Sequence, residues 1–361
     1  MTAPYLARAT TDLATGYQPV LDATAQPWAS PGSPVTLDVL TASVTEDESL
    51  SPRTQVELTV ASTAAVRALD ARAGIFLHLE AGYRYLDGVL DVHPWHAYLV
   101  VHELAPIPEN GTVAITAYSL DTLMHLHQLH ELYAEATPLD DFLEGAVLPE
   151  VIPSAWSALR AIDYGTVSPA TPLTVRSMDP TIVAPPAEPL SAATEAAGAI
   201  WYADRTGLWR IAARATATGT PVHTLATGPG GTVTDYDPVL SFDGYANAVY
   251  LGYGDDSVGY AEQTTGPYRV AVAPRVTLAI KRGSLLSPSQ STRNAAALAV
   301  LRRVITYGRS EELVAAAALW VKPGDTVTIA PAGESSYARL VRRVSFRFPG
   351  GDMTLATRNP T

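Results

Sequence analysis

The 361-residue chain contains no cysteine. Disulfide staples, thiolate nucleophiles and cysteine-ligated zinc are therefore excluded. Nothing in the composition calls for an oxidising compartment. Nowhere do about 18 uncharged apolar residues run together, so no transmembrane helix is expected. Met1 to Gln18 carries one arginine and no apolar run, so no secretory leader is expected either. Positive charge is scarce in the first part of the chain. Residues 1–150 hold 5 Lys or Arg against 20 Asp or Glu, whereas the stretch from Val270 onward holds 13 against 5. The whole chain has a formal net charge of −12, and this split points to opposite charge at two ends or faces. A chain this acidic is poorly suited to neutralising phosphates, so tight nucleic-acid binding is not expected.

What is present reads mainly as strand. The length suggests two or three domains, and 47% apolar residues suffice for a sizeable core. Met1 to Pro34 is rich in Thr, Ala and Pro with little periodicity, and is expected to be an arm or irregular edge. Gln55 to Val60 alternates strictly, which places Val56, Leu58 and Val60 on one buried face. Val35 to Val44 does so less cleanly. Thr63 to Gly74 predicts a short helix. Ile75 to Leu79, Tyr83 to Val92, Ala97 to Leu104 and Thr112 to Tyr118 predict further strands, with turns at Glu80-Ala81-Gly82 and Glu109-Asn110-Gly111. Six strands with short turns point to a small barrel or sandwich.

The pattern changes at Asp121. Leu126, Leu129 and Tyr133 have helical spacing, and a second helix is predicted with Thr137 as cap and Pro138 at its first position. Pro180, Pro185, Pro186 and Pro189 mark an extended stretch. A short helix over Ser191 to Ala197 precedes a hairpin, Ala199 to Tyr202 and Leu208 to Ile211, turning at Asp204-Arg205-Thr206-Gly207. The last third returns to strands at Ala246 to Tyr253, Tyr268 to Ala273 and Glu312 to Trp320. It includes a helix capped at Ser287-Pro288 and running to about Thr306. Lys322-Pro323-Gly324-Asp325 is a turn. Val344, Phe346 and Phe348 alternate with arginines and serine before a turn at Gly350-Gly351.

Motifs for chemistry are weak throughout. His127 and His130 have the spacing of a helical metal pair, with His125 beside them, but no acidic third ligand stands at a fixed offset. His93 and His96 flank Pro94-Trp95, which reads as a packed turn. Asp140-Asp141 and Asp255-Asp256 are adjacent pairs, whereas glycosidase carboxylates must flank a bond from opposite sides. Asp235-Tyr236-Asp237 lacks the further oxygens and the glycine of a calcium loop. Gly228-Pro229-Gly230-Gly231 is followed by neither lysine nor a helix start, so it is not a phosphate loop. Trp95, Trp156, Trp201, Trp209 and Trp320 could form a sugar-binding face, but aromatics in strands more often build cores and interfaces. No catalytic, cofactor-binding or metal residue is assigned, and a non-enzymatic role is expected.

The C-terminal third resembles the tail-hub proteins of long-tailed phages, especially those of actinobacteria. The residues that carry this are the helix Ser291 to Thr306, the turn Val321-Lys322-Pro323-Gly324-Asp325-Thr326-Val327 and Arg339-Leu340-Val341-Arg342-Arg343-Val344. They include the closing stretch from Phe348-Pro349-Gly350-Gly351-Asp352 to Arg358. Ala199 to Arg210 looks like the middle hairpin of that family, Ala246 to Val249 like the opening strand of a second barrel, and Val39 to Val60 like the first. The resemblance implies a fold that is mainly β with inserted α. Two barrels, at 35–120 and 216–361, would be joined by a mixed helical and hairpin insertion at 121–215, with an arm at 1–34. It further implies a homotrimeric, pseudo-sixfold ring at the virion tail tip, assembled in the host cytoplasm. Such a ring would join the sixfold tail tube to threefold tip proteins. Its channel would pass the tape-measure protein and DNA. Tail-tube or distal tail protein, tape measure, and tip spike or receptor-binding proteins are the implied partners, and no cofactor is. The alternative is a carbohydrate-binding adhesin or tail-associated cell-wall hydrolase. Relatives with appended lytic domains exist, and none is expected here because the chain ends at Thr361, just past the last strand. The acidic residues of 1–150, with Glu46, Asp47 and Glu48 as the test case, are expected to line the channel or face away from the basic C-terminal surface. Burial of these three would defeat that idea.

Overall fold

The computed structural model describes residues 17–30, 32–85, 90–127, 137–165, 167–170, 172–173, 185–196, 198–240, 244–253, 257–281, 289–305 and 309–360. The protein is mainly β. Among the described residues, seven strands come first: β1 (Tyr17–Pro27), β2 (Val35–Leu37), β3 (Val39–Asp47), β4 (Thr54–Ala61), β5 (Ile75–Tyr85), β6 (Leu90–Ile107) and β7 (Thr112–Ser119). A short helix, α1 (Ala64–Arg67), lies between β4 and β5, and Thr63 caps it by accepting from the Val66 N–H. β4 alternates as its sequence predicts: Val56, Leu58 and Val60 are buried while Gln55, Glu57 and Thr59 are not. β2 and β3 are one extended segment interrupted only at Asp38. β2 pairs with β1 and β3 pairs with β4. The ladder β3–β4–β7–β6–β5–β1–β2 therefore returns to the segment where it began, and the sheet closes on itself. Closure removes the exposed edges that an open sheet would leave.

The middle of the chain packs separately. α2 (Thr122–Leu126), β8 (Thr137–Pro138), a π-helical turn (Asp141–Val147) running into α3 (Leu148–Val151), β9 (Ile162–Asp163), β10 (Pro172–Leu173), α4 (Ala187–Ala196), β11 (Ala199–Ala203) and β12 (Trp209–Ala213) enclose their own core. Met124, Leu139, Phe142, Leu148, Ile152 and Trp209 are among its buried residues. β11 and β12 form the predicted hairpin, Tyr202 opposite Arg210.

β13 (His223–Ala226) and β14 (Val233–Leu240) follow. A third unit then branches off, with β15 (Ala248–Gly252), β16 (Val258–Glu262) and β17 (Thr277–Lys281) covered on one face by α5 (Gln290–Val304). The chain finishes with β18 (Arg309–Ala316), β19 (Thr326–Ala330), β20 (Tyr337–Phe348) and β21 (Asp352–Arg358). These last strands join β14 in the order β14–β18–β21–β20, with β19 and β13 alongside the start of β20.

β20 also pairs with β3, from Asp47 opposite Arg343 to Ala42 opposite Phe348. Thirteen strands thus form one sheet. Val44, Val56, Leu77 and Ile115 from the first strand block share one apolar cluster with Leu313, Val327, Val344, Phe346 and Leu355 from the last.

Several local expectations are corrected. Tyr17–Pro27, read as part of an irregular arm, is an 11-residue strand held by β5 along its whole length. Its apolar signal is thin because the buried positions are Pro19, Ala23 and Ala25. Glu80-Ala81-Gly82 is not a turn. β5 runs straight through it, and the register shift opposite Ala81 and Gly82 comes from two extra residues, His93 and Pro94, in the facing strand β6. Thr137 and Pro138 are in a strand, and Asp140 accepts from the Asp141 N–H to cap the following helical turn. Ser289 caps α5 by accepting from Thr292, and Ser287 and Pro288 lie outside the described residues. Tyr268 to Ala273 forms turns rather than a strand. Val272 and Ala273 N–H groups bond back to Arg269, and Tyr268 and Val272 stay exposed.

Phe346 is 1% exposed at the junction of the two strand blocks. Phe346→Ala is expected to cost about 3–5 kcal/mol in urea unfolding. Both strand blocks should melt in one transition, read as coincident far-UV circular dichroism and tryptophan fluorescence curves.

Candidate functional site: a buried carboxylate and arginine seam

The sites weighed on sequence do not assemble. His125 Nε2 meets the Ser51 hydroxyl at 2.8 Å, while His127 Nε2 meets Glu150 at 2.9 Å, so the two imidazoles serve different partners. His130 and the Asp255-Asp256 pair lie outside the described residues, and so does the side chain of His93. Asp235 and Asp237 are exposed on β14. Among the described residues, no group of three His, Cys, Asp or Glu side chains could hold a metal ion. No helix among them is long and apolar enough to cross a membrane. Gly228 to Gly231 is a tight turn from β13 to β14, and a Cβ on Gly231 would stand 2.2 Å from the Ala226 carbonyl oxygen.

The tryptophans face different interior partners rather than one ligand surface. Trp95 Nε1 donates to Glu46, Trp209 to the Leu159 carbonyl, Trp201 to Ser191, and Trp156 and Trp320 to the Trp28 and Val222 carbonyls.

The structure instead brings together charged residues that sequence reasoning had placed on the surface. Glu46 and Asp47 are each 5% exposed at the end of β3, and the Glu48 side chain is 2% exposed. Channel lining by these three residues is therefore corrected: they are internal. Glu46 accepts from Trp95 Nε1 at 3.0 Å and lies 3.5 Å from Arg205 Nε. Arg205, in the turn of the β11–β12 hairpin, also donates to the carbonyls of Leu319 and Val321. Asp47 accepts from the backbone and hydroxyl of Ser49. Glu48 accepts from Arg214, just after β12, and from Arg358, at the end of β21. Arg358 adds a bond to the Ala215 carbonyl at 2.7 Å. One acidic tripeptide thus holds the middle unit and the last strand against the first strand block.

Two more polar clusters support this seam. Glu311 is fully buried and accepts from Arg339 (3.0 Å) and Thr357 (3.1 Å), next to a Tyr236–Tyr337 hydroxyl pair at 2.6 Å. Arg53 lies 3.9 Å from the centre of the Tyr202 ring and donates to the Pro323 carbonyl. Its N–H donates to Asp121 Oδ2, while Asp121 Oδ1 has no hydrogen-bond partner among the described residues.

Burial alone would raise the Glu48 pKa, but Arg214 and Arg358 outweigh it and hold the carboxyl below its ordinary value. Asp121 goes the other way. Complete burial pushes it up to about 6, against the lowering effects of Ser119 and the Arg53 N–H. The desolvation cost of buried pairs of this kind offsets much of their attraction.

Because folded Asp121 binds a proton that the unfolded chain has released between about pH 4 and 6, its contribution to stability falls as pH rises through that window. Asp121→Asn should flatten this part of the profile, measured as urea midpoints at several pH values. Glu48→Gln should leave two buried guanidiniums poorly matched and cost about 3–5 kcal/mol in the same assay.

No protein-family model matches the chain. No curated protein matches it. Its fold, however, is shared with solved tail proteins over nearly its full length. A tail protein from Neisseria meningitidis superposes with a TM-score of 0.62 at 10% identity, covering 95% of this chain and 96% of that one. The 43 kDa tail protein of prophage MuSo2 from Shewanella oneidensis gives 0.61 at 12% identity, covering 94% and 98%. A prophage tail protein from Listeria monocytogenes gives 0.50 at 8% identity, covering 94% of each. The chain has the β-rich fold of phage tail proteins.

Proposed function

We propose that this chain is a structural component of a phage tail tip, a hub that works through its interfaces. The observation that carries the reading is the coverage: the likeness to two tail proteins takes in at least 94% of this chain and at least 96% of each of them. No catalytic domain is then needed to explain the chain, and the candidate chemical motifs are dispersed or absorbed into packing. The closed circuit β1–β7 and the run β14–β18–β21–β20–β19–β13 are read as the two barrel-type units of one protomer. Three protomers would present six such units as a pseudo-sixfold ring. That ring joins a sixfold tube to threefold tip proteins, and its channel passes tape measure and DNA. Its partners are the tail tube or distal tail protein, the tape measure, and spike or receptor-binding proteins. It resides at the virion tail tip after assembly in the host cytoplasm. Identical chains in a closed ring bury one surface of each neighbour repeatedly, which suits a fold whose internal sheet is continuous.

Electron microscopy of purified particles tests this. Three copies of the chain in a threefold ring at the distal end of the tail are expected. Absence of the chain from the particles would overturn the proposal. Release of sugars or peptides from purified host cell wall by the isolated protein would overturn its non-enzymatic part.

A further inference from the structure

The chain has four asparagines, Asn110, Asn247, Asn294 and Asn359, and the fold treats them very differently. An asparagine is chemically perishable when the backbone nitrogen of the next residue can reach its side-chain carbonyl carbon. That nitrogen must carry a hydrogen and have little bulk around it, and the amide must be free to turn. Three of the four fail these conditions. Asn247 is fully buried and its amide is tied at both ends. Nδ2 donates to the carbonyls of Tyr268 and Pro274, and Oδ1 accepts from the Val276 N–H. Asn294 lies within α5, where its Oδ1 accepts from the Tyr260 N–H and from Gln290. Asn359 is followed by Pro360, whose nitrogen has no hydrogen.

Asn110 meets all of them. It ends the single helical turn Pro108–Asn110 that links β6 to β7, with Ile107 opposite Thr112. Pro108, Glu109, Asn110 and Gly111 are all exposed. The Asn110 side chain has no hydrogen-bond partner among the described residues. Gly111 follows it in the left-handed region, at φ +62°, and a Cβ there would meet nothing within 4 Å. Glycine carries no side chain, so its nitrogen is open to the neighbouring amide. The bond from that N–H to the Pro108 carbonyl is long, at 3.3 Å. The Gly111 carbonyl accepts from the Ser62 N–H at 2.9 Å, so a change of backbone here reaches the start of α1, which Thr63 caps.

We propose that Asn110 is a site of spontaneous deamidation in the folded protein. The Gly111 nitrogen bonds to Asn110 Cγ, the Cγ–Nδ2 bond breaks, and the proton from the Gly111 N–H leaves with Nδ2 as ammonia. The product is a cyclic imide. Water then adds to one of its two carbonyls. Opening at Cγ gives aspartate. Opening at the main-chain carbonyl gives isoaspartate, whose backbone is one carbon longer. Either product adds a negative charge to the turn, and no oxidant or reductant takes part. The site belongs to the β6–β7 turn alone, so it stands whether or not the chain forms a trimeric ring.

The test incubates the full chain in mildly alkaline buffer, with and without guanidinium chloride, and maps digested samples by mass spectrometry. In the folded chain the peptide holding Asn110 should gain about 1 Da with time and separate into two isomers. In water enriched in oxygen-18 the gain should be about 3 Da, because solvent supplies the new oxygen. The peptides holding Asn247, Asn294 and Asn359 should keep their mass. Asn110→Gln would have to close a larger ring, and should slow the change by about tenfold or more. Asn110 is exposed, so an unchanged thermal midpoint for this variant establishes that its fold is intact. Three outcomes would overturn the proposal. These are no gain at Asn110 in the folded chain, whether or not denaturant restores it, equal gain at another asparagine of the folded chain, and equal gain in the Asn110→Gln variant.

Discussion

The pairing of β3 with β20 is the constraint on which the rest depends. It fuses the opening and closing strand blocks into one sheet and sets which β3 side chains point inward. With Ala42 opposite Phe348 and Asp47 opposite Arg343, the inward set is Ala42, Val44 and Glu46. A strand has a side-chain period of two, so a slip of one residue would expose Val44 and bury Thr45. The register therefore delivers a carboxylate into the interior at the end of the seam. Arg205, Arg214 and Arg358 are what make that tolerable. The desolvation penalty for each ion is several kcal/mol, comparable with the attraction gained. In the observed docking of the middle unit and of β21, both Glu46 and Glu48 are answered by guanidinium groups.

Much of this fold is legible in the sequence wherever one face is dry and the other wet. β4, β7, the β11–β12 hairpin and the β20–β21 hairpin are set by alternation and by turn residues. The class, mainly β with inserted helices, follows from the same signals. β1 is not legible, because it buries small residues and prolines and is defined by its ladder to β5 rather than by its own pattern. The Glu80-Ala81-Gly82 stretch looks like a turn because its residues suit one, yet it is held as strand by β1 on one side and β6 on the other. Tyr268 to Ala273 has the composition of a strand, but its Val272 and Ala273 N–H groups bond back to Arg269 and no strand among the described residues pairs with it.

The seam was legible in part. Glu46 follows Ala42 and Val44 at intervals of two, so the parity that buries the valine buries the glutamate as well. Charge pulled the reading toward the surface, and parity was the better guide. Glu48 was not legible: its burial depends on arginines 166 and 310 positions away. The low identity to tail proteins of the same fold has the same root. Closed sheets demand alternation, volume and turn chemistry, which many sequences satisfy, so the architecture persists while residue-level signals fade.

The charge split along the chain also takes on a different meaning. Read as a surface property, an acidic first part and a basic last part would place opposite fields on two faces. In the folded protein, part of that imbalance is cancelled internally: Glu46 and Glu48 from the acidic part meet Arg205 and Arg214 of the middle unit and Arg358 of the basic part. Sequence charge thus overstates surface charge most where the two parts touch.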